Sequence, residues 1–226
     1  MRQIMCVIGT DTEIGKTYTC CKIMNYLAHF NHLITALKPI SSGMVECEYG
    51  KINADVYQLL KSSTYSLKAS QVSPFSFNAA IAPHIAAGEQ GIELKVTEVI
   101  AQVAPIIQSV QPVSSILVEG IGGLMVPLNQ TENFLDLLKV WNYPIILVVG
   151  IKLGCLNHTL LTFQALQHCS LPVVGWIANQ IDPQMAYYQQ NVDYLTNRLP
   201  IPCLATIPYN GELQPTKEFR GVFPCH

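Results

Sequence analysis

The sequence predicts an α/β fold, in which a doubly wound and mostly parallel sheet is flanked by helices. Short apolar runs rich in β-branched residues alternate with stretches of helical periodicity, and this alternation implies right-handed β-α-β units. Several runs are apolar at every position, as strands buried on both faces of a parallel sheet are. The predicted strands span residues 4–8, 33–37, 115–118, 145–149, 173–177 and 203–207.

Helical periodicity predicts the elements between these strands. Over residues 96–110, apolar side chains recur every three or four positions and form one stripe, which is typical of a helix packed on a sheet. Residues 62–91 have the least regular pattern, and we expect a loop-rich excursion over the functional face of the sheet. The predicted helices span residues 16–30, 54–61, 96–110, 158–169 and 184–198.

Composition bounds the class of protein. The chain has 226 residues, 50% hydrophobic and 12% charged, which predicts a single domain over residues 1–226 with a large buried core. The net charge of −2 and the lack of a basic cluster argue against nucleic-acid and anionic-membrane partners. The start, MRQIMCVIGT, lacks a secretory pattern, and no apolar run approaches the roughly 18 residues of a membrane span. We therefore expect a cytoplasmic protein.

Eight cysteines invite a disulfide or zinc interpretation, but their spacing favours neither. No pair has C-x-x-C spacing, and the six histidines form no H-x-x-x-H pair. Several cysteines lie inside apolar runs, so we expect reduced thiols that act as small hydrophobic side chains. The cysteines are Cys6, Cys20, Cys21, Cys47, Cys155, Cys169, Cys203 and Cys225.

The segment GTDTEIGKT, residues 9–17, follows the first predicted strand and opens the first predicted helix. A loop at a helix N-terminus binds phosphate through unpaired backbone N–H groups and the helix dipole. Gly15 allows the backbone to approach a phosphate, Lys16 reaches its oxygens, and the Thr17 hydroxyl is a ligand for Mg²⁺. Five residues rather than four separate Gly9 from Gly15, so the motif departs from G-x-x-x-x-G-K-[ST]. The alternative is an ordinary turn with a surface lysine.

Charged side chains follow other predicted strands, where ligands bind in parallel sheets. Lys38, in LKPISSG, either contacts an anion or is a solvated lysine at a turn. Asp55 opens a helix, where it either stabilises the N-terminus or serves a Mg²⁺ ion. Glu119 precedes three glycines within four positions and is costly to bury unpaired, so we expect it beside a metal. The alternative for Glu119 is a surface position in a glycine-rich turn.

Two further regions are less specific. The segment GIKLGCLNH, which starts at Gly150, leads into a helix and offers either a second set of free amides for an anion or only a connection. Asn179 and Pro208 follow the last two predicted strands, and an amide with a flat apolar edge suits an adenine base.

Taken together, these stretches resemble the dethiobiotin synthetase family. The segments that carry the resemblance are GTDTEIGKT, LKPISSG, NAD, PHI, VEGIGG, ILVVGIKLGCLNH, WIANQ and IPY, which run in order from residue 9 to residue 209. The resemblance implies a seven-stranded P-loop NTPase-like fold, usually a homodimer, that acts on 7,8-diaminononanoate, CO₂, ATP and Mg²⁺ in biotin biosynthesis. One amine forms a carbamate, ATP phosphorylates it to a mixed anhydride, and the second amine closes the ureido ring, with release of ADP and phosphate.

The resemblance also implies roles for individual residues. The implied catalytic contacts are Thr12, Lys16 and Lys38, and the implied Mg²⁺ set is Thr17, Asp55 and Glu119. The implied nucleotide contacts are Asp11, Thr12, Glu13, Ile14, Gly15, Lys16, Thr17, Asp55, Glu119, Gly120, Gly122, Asn179, Gln180, Pro208, Tyr209 and Glu212. The implied substrate contacts are Thr12, Lys38, Ser42 and, in a loop that reaches the neighbouring site of a dimer, Gly150, Leu153, Gly154, Cys155 and Asn157.

Some features depart from the family pattern or leave alternatives. Ile121 stands where the family usually has a small residue, so we expect a narrower glycine loop after the strand. Gln180 stands where an acidic residue is common, and we expect this difference to affect the preference for the ribose or the base of the nucleotide. Asp11 or Glu13 is a candidate partner for a cationic amine. A P-loop amidotransferase-synthetase is a less favoured interpretation, because it would need a glutaminase domain, for which 226 residues leave no room, and because it would not explain LKPISSG. A ParA/MinD-like switch ATPase would carry a lysine early in the loop, where this sequence has Asp11, Thr12 and Glu13. No basic patch or C-terminal amphipathic helix supports that interpretation either.

Overall fold

The computed structural model describes residues 2–47 and 50–224, in which strands and helices alternate as predicted. The strands are β1 (Gln3–Gly9), β2 (Ile34–Leu37), β3 (Ile40–Ser42), β4 (Met44–Cys47), β5 (Gly50–Asn53), β6 (Phe75–Phe77), β7 (Ser115–Glu119), β8 (Ile145–Ile151), β9 (Val173–Gln180), β10 (Cys203–Ile207) and β11 (Gln214–Pro215). The helices are α1 (Lys16–Ala28), α2 (Ala54–Ser62), α3 (Ala69–Val72), α4 (Pro83–Gly88), α5 (Val96–Ser109), α6 (Phe134–Trp141), α7 (Cys155–His168), α8 (Tyr188–Arg198) and α9 (Lys217–Val222).

The described strands include a seven-stranded sheet with the order β11-β10-β9-β8-β1-β7-β2. Neighbouring strands in this sheet are parallel, except that β10 and β11 are antiparallel. The strand order changes direction beside β1, and in such sheets a crevice for ligands forms there, outside the carboxyl ends of the strands. The predicted mostly parallel sheet is confirmed, and its strand number agrees with the family resemblance.

Helices cover both faces of the sheet, as the continuously apolar strands predicted. Successive side chains of β1 alternate between two buried clusters: Cys6 and Ile8 pack with residues of α5, α6, α7 and α8, whereas Met5 and Val7 pack with residues of α1, α2 and α9. This alternation follows from the two-residue period of a strand. The doubly wound architecture is therefore confirmed.

The helix α5 carries the predicted apolar stripe. Val96, Val99, Val103 and Ile107 are buried in the first of these clusters, with exposed fractions of 6% or less. The helix ends at Ser109, so the predicted end at residue 110 is one residue too late, and Val110 is the buried residue that follows it.

Other helix boundaries differ from the prediction for local reasons. The helix α1 ends at Ala28 rather than at residue 30, and the chain then turns through the left-handed conformation of Asn31 (φ 54°). The helix α7 begins at Cys155, three residues earlier than predicted, directly after the left-handed Gly154 (φ 91°). The helix α8 begins at Tyr188, not at residue 184, because the preceding residues form turns.

Several short elements were not predicted. The helix α6 is closed at its start by reciprocal hydrogen bonds between Asn133 and Asp136, a capping box that the apolar pattern did not reveal. Residues 62–91 are not structureless, since they contain α3, β6 and α4, and β6 pairs with β3. The strands β4 and β5 form a hairpin. Within residues 2–47 and 50–224, no helix has the length and apolar character needed to cross a lipid bilayer.

Cysteine side chains behave as the sequence predicted wherever they are described. The thiols of Cys6, Cys20, Cys21 and Cys155 are buried, those of Cys169 and Cys203 are partly buried, and all six are free. Burial raises the pKa of Cys6 to about 12 and holds the pKa of Cys20 well above its ordinary value. The side chain of Cys47 and the whole of Cys225 lie outside the described residues.

Candidate active site

A cleft of about 930 Å³ lies beyond the carboxyl ends of β1, β2 and β7. The loop after β1, the turn after β2 and the last residue of β7 all contribute side chains to it, as expected for a doubly wound sheet. The predicted site residues that line the cleft are Thr12, Glu13, Gly15, Lys16, Thr17, Lys38, Ser42, Asp55, Glu119 and Gly122. The phosphate loop and the three charged strand-end positions are thus brought together.

The loop after β1 is held in a conformation that requires glycine at its end. Gly15 has a φ of +82°, in the left-handed region, and directly precedes α1. A Cβ atom at this position would lie 2.1 Å from the side-chain nitrogen of Asn179, which donates a hydrogen bond of 2.9 Å to the Ile14 carbonyl. Because Gly15 lines the cleft, the unpaired N–H groups at the start of α1 lie beside it and are available to an anion.

Lys16 brings a cation to the same helix start. Its side chain is buried, and its Nζ atom donates a hydrogen bond of 2.7 Å to the carbonyl of Asp11 within the loop. Burial, partly opposed by the charge of Glu119, lowers the pKa of Lys16 to about 8. A bound anion such as a phosphate would restore the preference for the charged form, so the electrostatics of this position favour an anionic ligand.

An ion-pair cluster forms the floor of the cleft, with Glu119 and Lys38 buried and the Asp55 side chain 40% exposed. One carboxylate oxygen of Glu119, Oε1, accepts hydrogen bonds from the Thr17 hydroxyl at 2.7 Å and from Lys38 Nζ at 2.8 Å. Lys38 also pairs with Asp55. Burial acts to lower the pKa of Lys38, but the two carboxylates outweigh it and raise that pKa to about 12. Lys38 is therefore a permanent cation between two anions, not a solvated surface lysine.

The donor set around Glu119 suits a divalent cation that also takes ligands from a phosphate. The second oxygen, Oε2, is buried and has no hydrogen-bond partner in the described part of the chain, which is costly for a carboxylate. Glu119, Asp55 and Thr17 together offer hard oxygen ligands. Over residues 2–47 and 50–224, no group of three or more His, Cys, Asp or Glu side chains could hold a metal by itself. A cation here would thus need oxygens from a ligand or water, as Mg²⁺ usually does at nucleotide sites.

Asn53 organises the opposite wall. Its side-chain nitrogen donates hydrogen bonds to the carbonyls of Ser42 (2.8 Å) and Gly43 (2.9 Å), and its side-chain oxygen caps α2 by accepting from the N–H groups of Asp55 and Val56. One buried amide therefore fixes both the turn after β3 and the helix start that carries Asp55. A helix N-cap of this kind is typical of asparagine.

One wall of the cleft is apolar. It is formed by residues 80–83, before and at the start of α4, and by Ile121, Val126 and Pro127 after β7. The expectation that residues 62–91 reach over the functional face is confirmed for residues 80–83. Gly122 has a φ of +58°, and a Cβ there would lie 2.7 Å from Val126, so the turn after β7 needs glycine to bring this wall close. The cleft can therefore hold an alkyl chain beside its charged floor.

The remaining predicted nucleotide contacts lie around the phosphate loop rather than in the cleft lining. Ile14 and Asn179 are buried beneath the loop, and a Cβ on Gly120 would lie 2.8 Å from the ring of Phe134. The side-chain oxygen of Gln180 accepts a hydrogen bond of 3.3 Å from the N–H of Tyr209, which follows Pro208.

Glu212 is the last of the predicted nucleotide contacts that lie outside the cleft lining. Its carboxylate is paired with Lys22 of α1. These residues form a separate region, beyond β9 and β10, at one end of the phosphate loop.

The segment of residues 150–157 lies beside the phosphate loop. Lys152 is 3.7 Å and His158 is 4.0 Å from a carboxylate oxygen of Asp11. Among the predicted substrate contacts in the segment, Gly150 packs against Ile14, Cys155 is buried, Asn157 and Gly154 are exposed, and Leu153 is 93% exposed. Asp11 thus contacts the second loop instead of lining the cleft.

Known proteins of similar sequence show which family this chain belongs to. The family model described as an AAA domain matches residues 2–217. An ATP-dependent dethiobiotin synthetase from Pseudoalteromonas translucida is 41% identical over 206 residues, which cover 91% of this chain and 90% of that protein. The chain belongs to the dethiobiotin synthetase family. A second dethiobiotin synthetase, from Pseudomonas aeruginosa, is 39% identical over 92% of this chain and 91% of that protein.

Solved structures agree with the fold. The cell division protein FtsY from Thermotoga maritima matches with a TM-score of 0.55 at 14% identity, over 98% of this chain and 67% of that one. The septum site-determining protein MinD from Pyrococcus horikoshii, solved with Mg-ADP, matches with a TM-score of 0.52 at 16% identity, over 92% of this chain and 82% of that one. These likenesses show that this dethiobiotin synthetase family member has a P-loop NTPase fold.

Sequence patterns did not single out every residue of the cleft in this dethiobiotin synthetase family member. Tyr18, Gln58 and the apolar residues Ala80, Ile81 and Ala82 line it without belonging to a recognisable motif. Asn53 and Pro83 stood within the matching segments NAD and PHI, but no role was predicted for either. A helix-capping asparagine before Asp55 was the one local signal that could have indicated Asn53 as an organising residue.

Proposed function

We propose that the protein converts 7,8-diaminononanoate and CO₂ to dethiobiotin with hydrolysis of ATP, as a single domain over residues 1–226. The observation that carries this proposal is the position of Lys38, a buried cation in the cleft that the phosphate loop and the apolar wall both line. The 41% identity to an ATP-dependent dethiobiotin synthetase supports the reaction. The step belongs to biotin biosynthesis, so we expect a cytoplasmic enzyme.

The reaction needs charge compensation more than side-chain nucleophiles. One substrate amine adds to CO₂ and loses a proton, giving a carbamate. A carbamate oxygen then takes the γ-phosphoryl group of ATP, with ADP as the leaving group. The second amine attacks the carbonyl carbon, and the carbon–oxygen bond to phosphate breaks as the cyclic urea forms. Both nucleophiles come from the substrate, so the protein has to position anions and neutralise them.

Lys16 and Lys38 are the residues that we assign to this neutralisation. Carbamate and triphosphate repel each other, and both lysines stand at the cleft where the two anions would meet. Lys38, with a pKa raised to about 12, stays charged throughout the neutral pH range. We assign Thr12, at the same edge of the phosphate loop, and Ser42, on the opposite wall, as polar contacts of the substrate.

Thr17, Asp55 and Glu119 are the residues that we propose to hold Mg²⁺. The unpartnered Glu119 oxygen and the hydroxyl-plus-carboxylate donor set support this assignment. Mg²⁺, when bound, would stabilise the negative charge of the transferring phosphoryl group. Lys38 contacts both carboxylates, through Oε1 in the case of Glu119, so the second oxygen of Glu119 is left for a metal.

We further propose a homodimer in which the segment of residues 150–157 contributes to the neighbouring site. Leu153, just before α7, is 93% exposed, and Leu161, within α7, is 57% exposed. Single exposed leucines are common on protein surfaces, so the proposal rests on the family resemblance, and these two side chains offer apolar surface for the contact. Backbone N–H groups near the start of α7 would then hold the substrate carboxylate of the partner.

The proposed reaction is tested with diaminononanoate, bicarbonate, Mg²⁺ and ATP, by measuring ADP release with and without the diamine. We expect ADP release to depend on the diamine, and ATP hydrolysis at the same rate without it would refute the assignment. The variant Lys38→Ala is expected to lose turnover while it largely retains nucleotide binding, with Lys95→Ala, a surface lysine paired with Glu93, as the matched control. Unchanged turnover in Lys38→Ala would remove Lys38 from the site.

A further inference from the structure

Helix α1 is connected to the turn after β10 by two side chains that the proposed reaction does not use. The Tyr18 hydroxyl donates a hydrogen bond of 2.9 Å to the carbonyl of Gly211, and Lys22 forms an ion pair with Glu212. These contacts join residues that are 193 and 190 positions apart in the sequence. We call this pair of contacts the helix–turn clasp.

The two side chains of the clasp form one surface of α1. Tyr18 and Lys22 are four residues apart, which places them one above the other on a helix. The Lys22 ammonium group lies 5.2 Å from the centre of the Tyr18 ring, within the range of a cation–π contact. The side chain of Lys22 is only 14% exposed although it lies at the surface, so it is held by its neighbours.

The turn that the clasp holds is fixed at its other side as well. The N–H of Gly211 donates to the carbonyl of Pro208 at 2.8 Å, and the N–H of Tyr209 donates to Gln180 of β9. After Glu212 the chain returns to the sheet, where Leu213 is buried and β11 pairs with β10. The clasp therefore holds the side of this turn that faces α1.

The same helix carries the phosphate-binding groups at its start. Lys16 and Thr17 are its first two residues, and Tyr18 itself lines the cleft. With a rise of about 1.5 Å per residue, Lys22 lies about 9 Å along the helix from Lys16. A nucleotide whose phosphates lie at Lys16 and whose base lies at residues 208–212 would thus span α1 and the turn at once.

We infer that Tyr18 and Lys22 are positioning residues that hold the turn of residues 208–212 at a fixed distance from the phosphate loop, ready for the base and ribose of the nucleotide. The inference rests on the nucleotide placement in the proposed function. Neither residue needs to touch the nucleotide's base. Without the clasp, part of the binding free energy of ATP would be used to order the turn, so ATP would bind more weakly.

The test compares ATP with inorganic triphosphate, which has the phosphates but no base or ribose. Equilibrium dissociation constants are measured by calorimetry, with Mg²⁺, for wild type, Tyr18→Phe, Lys22→Met, Lys22→Arg and the surface control Lys95→Met. We expect ATP to bind about twofold to tenfold more weakly to Tyr18→Phe, and about twofold to fivefold more weakly to Lys22→Met. Inorganic triphosphate should bind to each variant with the same affinity as to wild type. Lys22→Arg, which keeps the ion pair, should bind ATP as tightly as wild type does.

A role in catalysis itself would give a different result. For Lys22→Met we expect a raised KM for ATP with kcat at saturating ATP retained, since the clasp acts on binding and not on the reacting groups. Unchanged ATP affinity in Tyr18→Phe and in Lys22→Met, or an equal loss of affinity for ATP and for inorganic triphosphate, would overturn the inference. Wild-type protein that gained no affinity from the adenosine part of ATP would instead refute the nucleotide placement in the proposed function. Unfolding midpoints measured for every variant identify any that is misfolded, and Tyr18→Phe, which removes only one oxygen atom, keeps the inference testable if Lys22→Met does not fold.

Discussion

Replacing Lys38 by methionine should cost the protein several kcal/mol of stability, because the change leaves Glu119 buried without its counter-ion. Glu119 is 1% exposed, its Oε2 atom already lacks a partner in the described chain, and Oε1 would keep only the Thr17 hydroxyl. Removing one partner of a buried ion pair typically costs about 3–5 kcal/mol. Protonation sets a ceiling, since neutralising an ordinary glutamate at pH 7 costs about 3.7 kcal/mol. We therefore expect a loss of about 3–4 kcal/mol at pH 7.

The stability lost in Lys38→Met should depend on pH. At pH 5, neutralising an ordinary glutamate costs only about 1 kcal/mol, so the loss should shrink toward that value. Lys38 adds no pH dependence of its own in this range. Its pKa in the folded protein is about 12, above its ordinary 10.5, so its contribution is complete below 10.5 and is lost only as the pH rises through about 12.

Urea unfolding at pH 7 and pH 5, without divalent cations, measures both quantities. The double variant Lys38→Met/Glu119→Gln is the control, because it removes both charges and should recover most of the stability. A loss below 1 kcal/mol at pH 7, an equal loss at the two pH values, or a double variant as unstable as the single one would refute the account of the buried cluster.

The phosphate loop and the buried thiols can each be probed by a single measurement. At pH 8, where Lys16 is about half protonated, binding of ATP should be accompanied by uptake of as much as about half a proton, measured as a dependence of the calorimetric enthalpy on the buffer. The variant Lys16→Arg should show no uptake, and proton release by wild type would contradict the lowered pKa of Lys16. Gly15→Ala should reduce ATP affinity more than tenfold, because a left-handed alanine costs about 1–2 kcal/mol and its Cβ would lie 2.1 Å from the side-chain nitrogen of Asn179. The control Gly88→Ala, whose Cβ would have no atom within 4 Å, should bind ATP as wild type does. Cys6 and Cys20, buried thiols with raised pKa values, should resist iodoacetamide at pH 8 until the protein unfolds, and rapid labelling of either in peptide mass maps would show that the core is open there.

Local sequence signals were sufficient for most of the fold. Continuously apolar strands and the stripe of α5 depend on side-chain periodicity, which the sequence displays directly. Boundaries set by single residues were less visible: the start of α7 depends on the left-handed Gly154, and α6 depends on the capping pair Asn133 and Asp136. Periodicity does not report conformation at one residue, so these features could not be predicted from it.

The site was predictable where its chemistry lies in motifs. The phosphate loop and the strand-end residues Lys38 and Glu119 could be found because parallel strands bring their carboxyl ends to one edge. That Lys38 contacts both Asp55 and Glu119 could not, since the contact joins positions 17 and 81 residues away. The apolar wall and the helix–turn clasp depend on packing between distant segments, and no local pattern encodes such packing.

One ATP should be consumed for each CO₂ that is built into a ureido ring. Incubation with [¹³C]bicarbonate, diaminononanoate, Mg²⁺ and ATP tests it directly, with ADP and the cyclic product both quantified and the product mass measured. We predict one ADP per molecule of product, with a single ¹³C in each product molecule. ADP formed without a labelled cyclic urea, or a cyclic product formed without ADP, would contradict the account.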